Sequence, residues 1–157
     1  MQISRSSVIT IQAPINIVFP LFGPIEERKW ADGWDPIVIH PVEGHFEEGM
    51  VFKTRATNKQ EDWYYWVLSC WWEFVIIQYQ IHSANRVWTI FIECQSTTKT
   101  SSTMKITYNY TGLNEIGDLL NNEALNEMFT SNLKDWEQSL NHFIKTGKCL
   151  KSSKNKK

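Results

Sequence analysis

The 157-residue chain is poor in the residues that would hold a fold together by disulfides or metal ions, with three cysteines (Cys70, Cys94 and Cys149) and four histidines. So few cysteines, and an odd number of them, argue against a disulfide framework and fit a reducing compartment, so we expect a cytoplasmic protein. His40 and His45 have no cysteine cluster near them and form a poor zinc signal, so we expect no metal.

Long apolar runs are also lacking. None approaches the length of a transmembrane helix, and the first residues do not show the apolar stretch of a signal peptide, so we expect no integral membrane protein. Phosphate-binding loops, dinucleotide fingerprints and catalytic-triad strings are absent from the sequence as well. These absences lead us to expect no cofactor.

Basic residues are scarce until the end of the chain. Residues 1–144 contain 10 Lys and Arg against 17 Asp and Glu, whereas residues 145–157 contain six Lys and no acid. Nucleic-acid binding needs a basic face, so the acidic body excludes nucleic acid as the main partner. We expect one domain at 1–147 and a disordered Lys-rich tail at 148–157, which leaves open a weak contact with an anionic membrane surface.

Aromatic rings are abundant: eight Trp, eight Phe and five Tyr make up 13% of the residues. Such rings line apolar ligand pockets, but they are also good strand and core residues. Several of them fall in the stretch from Trp63 to Trp72, where both faces of the predicted strand carry rings. An exposed aromatic patch there would suit a dimer interface, so monomer and homodimer both stay open.

The pattern of apolar residues predicts one strand, two short helices, six strands and one long helix. Between Thr103 and Thr111 apolar and polar residues alternate strictly, which indicates an antiparallel strand with one wet face. Apolar residues from Leu125 to Phe143 recur at helical spacing, predicting a helix of about 24 residues that starts near Asn121 or Asn122 and ends at Gly147. The other predicted strands are Ile3–Ala13, Ile37–His40, Met50–Thr57, Asp62–Trp72, Phe74–His82 and Arg86–Gln95.

Several local strings occur in an order and spacing that are informative together. They are Ala13-Pro14 with Val18-Phe19, Glu27-x-x-Trp30-x-x-Gly33-Trp34-x-Pro36, Gly49-x-Val51-Phe52-x-Thr54, Thr107-Tyr108-x-Tyr110-Thr111-Gly112-Leu113-x-x-x-Gly117 and Trp136-Glu137. Over residues 3–147 the chain resembles the SRPBCC superfamily, and within it small bacterial members of the polyketide cyclase/dehydrase-like group.

The resemblance implies an α+β helix-grip fold, as in lipid-transfer START domains. In that fold a curved antiparallel sheet of about seven strands surrounds a long C-terminal helix, with two short helices after the first strand. A curved sheet cannot press flat on one helix everywhere, so we expect a cavity at one end, closed by the short helices. The superfamily shares a cavity and not a chemistry, so the fold does not give the function.

The strand phases predict which residues face the long helix. They form an apolar wall with a few hydroxyl groups, and a packed core without a hole is the alternative interpretation. The same phases turn Val75 and Cys94 inward. The candidate cavity-lining residues are Trp34, Phe52, Thr54, Tyr79, Trp88, Ile90, Ile92, Met104, Ile106, Tyr108, Tyr110, Phe129, Leu133 and Trp136.

This predicted wall contains no His and no carboxylate, which acid–base catalysis would need. We interpret Glu26 and Glu27 as structural charges in the first turn of the second short helix, with a place at a pocket mouth as the alternative. Trp34 either closes the end of the sheet or frames a pocket mouth. The sequence therefore favours binding of a hydrophobic small molecule (a lipid, a polyketide-like compound or an aromatic) without catalytic residues. A cyclase/aromatase-like enzyme and a protein-interaction module are the alternatives.

Overall fold

The computed structural model describes residues 1–151, apart from the side chain of Phe129. Of the tail predicted to be disordered at 148–157, residues 152–157 lie outside the described residues.

Seven strands form one antiparallel sheet in the order β1-β7-β6-β5-β4-β3-β2. From β2 to β7 each strand pairs with the next along the chain, and β1 joins the open side of β7. The predicted number, order and antiparallel arrangement of the strands are confirmed. Their bounds are β1 Gln2–Ile11, β2 Ile37–His40, β3 Val51–Arg55, β4 Trp63–Trp72, β5 Ile76–His82, β6 Arg86–Thr97 and β7 Ser102–Gly112.

Strand β7 shows why the sheet has one covered face. Its residues alternate between buried and partly exposed from Ser102 to Tyr110, as the period of two requires. Ile90 of β6 lies opposite Tyr108 in β7, so the buried side chains of the two strands share one face. This face forms the floor of the hydrophobic core.

Three short elements follow β1: helix α1 (Ile15–Val18), a 3-10 turn (Phe19–Phe22) and helix α2 (Pro24–Glu27). Prolines lie near the start of the 3-10 turn and of α2. The first N–H groups of a helix have no partner within it, so proline costs no hydrogen bond there. Phe19 packs against the rings of Trp71 and Phe74, with centroid distances of 6.2 and 5.8 Å. The short elements therefore cover the end of the sheet where β4 turns into β5.

The C-terminal helical segment is interrupted, in contrast to the single helix predicted. Helix α3 spans Glu115–Ser131 and helix α4 spans Lys134–Thr146. Asn132 and Leu133 between them have positive φ angles of 51° and 55°, and Asn is a residue type that tolerates this helix-ending conformation. The break carries Leu133 into the core, where it is buried. Helix α4 ends at Gly147, as predicted.

Helix α3 also starts earlier than predicted. Its N-cap is Asn114, whose side-chain oxygen accepts a hydrogen bond of 2.9 Å from the N–H of Gly117. A Cβ atom on Gly117 would overlap the carbonyl oxygen of Asn85 in the β5–β6 turn. Glycine at this position therefore lets α3 approach the turn closely. This explains in physical terms why a glycine occurs at position 117, the last residue of the string that begins at Thr107.

One strand prediction was wrong. Strand β5 begins at Ile76 rather than at Phe74, because Phe74 has a φ of 63° and the Val75 N–H donates to the Trp72 carbonyl in a turn. Val75 is accordingly 41% exposed and does not face inward, and Cys94 is only partly buried, next to a register shift in β6. None of the helices within residues 1–151 combines the length and apolar character needed to cross a bilayer.

Candidate functional site

A cavity of about 290 Å³ lies between α2 with its following loop, the middle of β5 to β7, and α4. We call it the α2 cavity. Aromatic and aliphatic side chains make up most of its wall. Its lining residues are Phe22, Glu27, Ala31, Asp32, Gly33, Trp34, Trp66, Tyr79, Ile90, Ile92, Tyr108 and Trp136.

Trp136 of α4 forms one side of the α2 cavity. Its ring lies 5.8 Å from that of Trp30, 6.4 Å from that of Phe22 and 6.5 Å from that of Tyr108, measured between centroids. The Trp30 indole N–H donates a 2.7 Å hydrogen bond to the Leu21 carbonyl, which fixes the ring. Edge-to-face contacts of this kind contribute beyond the area they bury, so this wall is well defined.

Trp34 and Trp66 form the opposite side and meet edge to face at 5.5 Å. The Trp34 indole N–H donates a 2.8 Å hydrogen bond to the Pro24 carbonyl at the start of α2. Beyond this pair lies a second hollow of about 510 Å³. Trp34 and Trp66 line it too, together with Thr54. Trp34 thus ties α2 to the loop that follows it and lines both hollows.

The main feature that the sequence interpretation missed is Glu27, the last residue of α2. Its carboxyl group lines the α2 cavity and is surrounded by protein, and burial raises its pKa from 4.5 to about 8. The residue as a whole is only partly buried. Among residues 1–151 its carboxyl group has no hydrogen bond or ion pair, so no partner there offsets the cost of ionising it.

Two tyrosines of the sheet face Glu27. The Tyr79 hydroxyl donates a 2.7 Å hydrogen bond to the Phe22 carbonyl, and burial together with the charge of Glu27 holds its pKa well above 10. The pKa of Tyr108 is raised well above 10 by burial, then by Tyr110, Glu27 and Asp135. Within the described part of the chain the Tyr108 hydroxyl has no hydrogen-bond partner. Tyr108 can therefore donate to a ligand, while Tyr79 is engaged by the protein.

A second buried carboxyl group lies elsewhere on the sheet, where β4 and β6 begin. Glu61 and Arg86 form an ion pair of 3.0 Å, with side chains that are 1% and 6% exposed. Asn58 and Ser83 also donate hydrogen bonds to Glu61, and Arg86 donates one of 3.1 Å to the Tyr64 hydroxyl. We call these five residues the Arg86 network.

The electrostatics of the Arg86 network are opposite to those of Glu27. Burial raises the pKa of Glu61, but the hydrogen bonds from Ser83, Asn58 and Arg86, with the charge of Arg86, outweigh it and lower the pKa. The Arg86 guanidinium also lies over the Trp88 ring at 4.7 Å and near that of Tyr110 at 5.8 Å. These two predicted cavity residues therefore enclose an arginine instead of lining the α2 cavity.

The structure places the 14 predicted lining residues in three settings. Six of them line the α2 cavity: Trp34, Tyr79, Ile90, Ile92, Tyr108 and Trp136. Thr54 lines only the second hollow, where it accepts a 3.0 Å hydrogen bond from the Trp66 indole. Those that lie in the surrounding core are Phe52, Trp88, Met104, Ile106, Tyr110 and Leu133. The side chain of Phe129 is outside the described part.

The core residues outside the cavity have their own packing reasons. Phe52 stacks on Trp66 at 5.2 Å and meets Tyr79 edge to face at 5.8 Å, so it supports the wall from behind. Met104 and Ile106 are completely buried. The strand phases therefore turned Phe52, Met104 and Ile106 towards the core, as their burial shows, but did not tell which core residues border the cavity.

Comparisons with known proteins support the fold. No family model and no curated protein matches the sequence. Among solved structures, the chain is similar to the Mll3558 protein from Rhizobium loti, with a TM-score of 0.64 and 13% identity over 89% of this chain and 98% of that one. It is also similar to norcoclaurine synthase from Thalictrum flavum, solved in complex with dopamine and hydroxybenzaldehyde, with a TM-score of 0.67 and 12% identity over 94% and 89%.

A third similar structure is Ara h 8.0201, with a TM-score of 0.59 and 13% identity over 89% of this chain and 98% of that one. Identities this low establish a shared architecture and nothing finer. The helix-grip fold that the resemblance to the SRPBCC superfamily implied is confirmed.

Proposed function

We propose that the protein binds a small, mostly apolar molecule in the α2 cavity. The observation that carries the proposal is the cavity itself, about 290 Å³ of space walled by aromatic and branched aliphatic side chains. An apolar cavity of about 150 Å³ holds benzene, so this one has room for a two-ring molecule. Ligand pockets range from about 300 to 1,000 Å³, and a volume at the lower limit favours a compact aromatic over a long lipid chain.

Desolvation supplies the affinity in this proposal. Removing apolar surface from water contributes about 25 cal/mol per Å², so a buried two-ring ligand gains several kcal/mol before the cost of its immobilisation. The Tyr108 hydroxyl and the Glu27 carboxyl then select the orientation of the ligand, since both belong to the wall and neither has a hydrogen-bond partner among residues 1–151.

The proposal is tested by calorimetric titration with naphthylmethanol, a neutral two-ring probe. We expect saturable binding of one molecule per chain. Ala31→Leu, which adds carbon atoms to the wall of the α2 cavity, should weaken binding at least tenfold. Ala124→Leu is the matched control, because Ala124 packs on the core from α3 and does not border the cavity. Absence of saturable binding, or equal effects of the two variants, would contradict the proposal.

A second candidate is an enzyme that transfers a proton, and the observation favouring it is Glu27. A carboxyl group with a pKa near the working pH, held in an apolar cavity, has the properties of a general acid or base. In this case the ionised carboxylate removes a proton from carbon on a bound molecule, and the Tyr108 hydroxyl stabilises the developing negative charge on oxygen.

Nitrobenzisoxazole is a suitable probe for this second function. Removal of its ring proton by Glu27 drives the electron pair into a nitrile and breaks the N–O bond, which releases a coloured cyanonitrophenolate. We expect a rate that rises with pH through about 8, as Glu27 ionises, and that Glu27→Gln abolishes. A rate that is the same in both proteins, or independent of pH, would leave binding alone as the function.

A further inference from the structure

The ionisable groups on the wall of the α2 cavity are all acids. They are Glu27, Asp32, Tyr79 and Tyr108, and none of the described lining residues is a Lys, Arg or His. One of these acids, Asp32, forms an ion pair with Lys151 at 3.5 Å. The cavity therefore offers no charge partner to an anionic ligand, and it offers carboxylates to a cationic one.

Glu27 is the carboxylic acid on this wall whose side chain lacks a partner within residues 1–151. Its neighbour in α2, Glu26, is paired with Lys29 at 2.5 Å on the outside of the protein, and Glu61 is paired with Arg86 at 3.0 Å. A carboxyl group on an apolar wall is stabilised in its ionised form by a nearby positive charge. A cationic ligand would supply that charge to Glu27.

The rings around the cavity suit a cation as well. Trp34, Trp66 and Trp136 belong to its wall, together with Tyr108. A cation within about 6 Å of the face of such a ring is attracted by the ring's electron density, and Trp gives the strongest attraction. The same protein already uses this interaction, since the Arg86 guanidinium lies 4.7 Å from the Trp88 ring centroid.

We infer that the ligand class of the α2 cavity is a small aromatic amine, whose ammonium group pairs with the Glu27 carboxylate among the tryptophan rings. The inference rests on the proposed binding function and narrows its ligand. It also predicts linkage to protons, because an ammonium group binds the ionised form of Glu27 and so displaces a proton from this carboxyl group.

The other groups that act on Glu27 do not oppose this linkage. Tyr79 from β5 and Tyr108 from β7 stay neutral, because their pKa values lie well above 10. Asp32 in the loop after α2 carries Lys151 as a counter-charge, and Asp135 of α4 acts on Tyr108. With a pKa of about 8, Glu27 is the group whose ionisation an ammonium ligand would change near neutral pH.

The test uses three probes of similar shape and different charge: naphthylmethylamine, naphthylmethanol and naphthoate. We expect the amine to bind at least tenfold more tightly than the alcohol at about pH 8, and naphthoate to bind most weakly. Between about pH 6 and pH 8, where the amine stays charged, its affinity should rise while that of the alcohol stays constant.

Glu27→Gln should remove the advantage of the amine and its pH dependence, so that the amine and the alcohol bind the variant with similar affinity. Glu26→Gln is the matched control, since this neighbouring carboxylate pairs with Lys29 and does not line the cavity, and it should change neither. Calorimetry of the unmodified protein in two buffers measures the protons released when the amine binds. This shows without any variant whether amine binding displaces a proton from the protein.

The outcomes separate the two proposals. The inference of an aromatic amine is rejected if the alcohol binds as tightly as the amine or more tightly. It is also rejected if Glu27→Gln still binds the amine and the unmodified protein releases no proton. In either case the proposed binding of an apolar ligand stands. If none of the three probes binds, the proposed function fails and the inference fails with it.

Discussion

Two carboxyl groups of this protein, Glu27 at the end of α2 and Glu61 just before β4, have opposite environments. The Arg86 network surrounds Glu61 with donors and a positive charge, and the pKa of Glu61 is lowered. The α2 cavity surrounds Glu27 with rings and empty space, and its pKa is raised to about 8. Burial acts in the same direction on both, so the difference comes from the partners that the protein supplies.

This difference separates a structural site from a binding site. The Arg86 network ties together segments at the start of β4 and β6 and satisfies most of its own polar groups, so it has little to offer a ligand. Glu27 and the Tyr108 hydroxyl are left unsatisfied by the described residues beside a volume large enough to fill. We therefore expect changes in the Arg86 network to affect folding and changes at Glu27 to affect binding.

The largest effect on folding should come from breaking the Arg86 network. Arg86→Met keeps much of the side-chain volume but leaves Glu61 buried without its counter-charge, which should cost about 3–5 kcal/mol in the free energy of unfolding. Urea unfolding at neutral pH measures this loss. The double variant Glu61→Gln/Arg86→Met should recover part of it, and a single variant as stable as the unmodified protein would show that the pair is not buried.

Removal of a cavity wall should rank second. Trp136→Ala deletes the ring that contacts Trp30 and Tyr108 and should cost about 3 kcal/mol, the low end for such truncations because the ring borders an existing cavity. Trp72→Ala is the matched control, since Trp72 is 66% exposed and its loss should change stability by less than about 0.5 kcal/mol. Equal losses would place Trp136 at the surface.

The pH dependence of stability should differ in sign between the two carboxyl groups. Because the folded pKa of Glu27 exceeds the unfolded value of 4.5, ionisation of Glu27 destabilises the fold as pH rises from about 4.5 to about 8. One pKa unit corresponds to about 1.36 kcal/mol. Because Glu27 is partly exposed, solvent screens part of the effect, so Glu27→Gln should stabilise the protein by about 2 kcal/mol at high pH and by nothing below the unfolded pKa.

Glu61→Gln should behave in the opposite way. The folded pKa of Glu61 is lowered, so its carboxylate stabilises the fold above the unfolded pKa, and this contribution is lost as pH falls through the folded pKa. The variant should therefore be less stable than the unmodified protein at neutral pH, with a difference that shrinks in acid. Parallel pH profiles for the two Gln variants would contradict the comparison.

The smallest effect should come from the Tyr108 hydroxyl. Tyr108→Phe keeps the shape of the wall and should weaken an oxygen-bearing probe such as naphthylmethanol by about 0.5–1.5 kcal/mol, without loss of stability. Tyr79→Phe is the contrasting variant, because the Tyr79 hydroxyl bonds the Phe22 carbonyl and its removal should lower stability instead. Unchanged binding in Tyr108→Phe would show that the hydroxyl does not reach the ligand.

Strand periodicity made much of the fold predictable. The alternation in β5 to β7 turned Tyr79, Ile90, Ile92 and Tyr108 towards the core, and helical spacing did the same for Trp136. All of these line the α2 cavity. Periodicity gives the direction of a side chain, however, and the core also contains residues such as Met104 that point the same way without bordering a hollow.

Glu27 and the Arg86 network escaped prediction for different reasons. Helix α2 has a single turn, so no repeat distinguishes the inward Glu27 from the outward Glu26. Arg86 follows a tight turn and meets Glu61 from 25 residues away, a pairing that only the completed sheet creates. The break at Asn132 was also hidden, because the apolar spacing continues across it.

The most direct test of the account is an NMR titration of the Glu27 carboxyl carbon in the protein without added ligand, assigned with Glu27→Gln. We predict a pKa of about 8, moving to lower pH when naphthylmethylamine is added. A pKa near the ordinary value of 4.5 would show that Glu27 is solvated or paired, and would contradict the account of this cavity as an unfilled binding site.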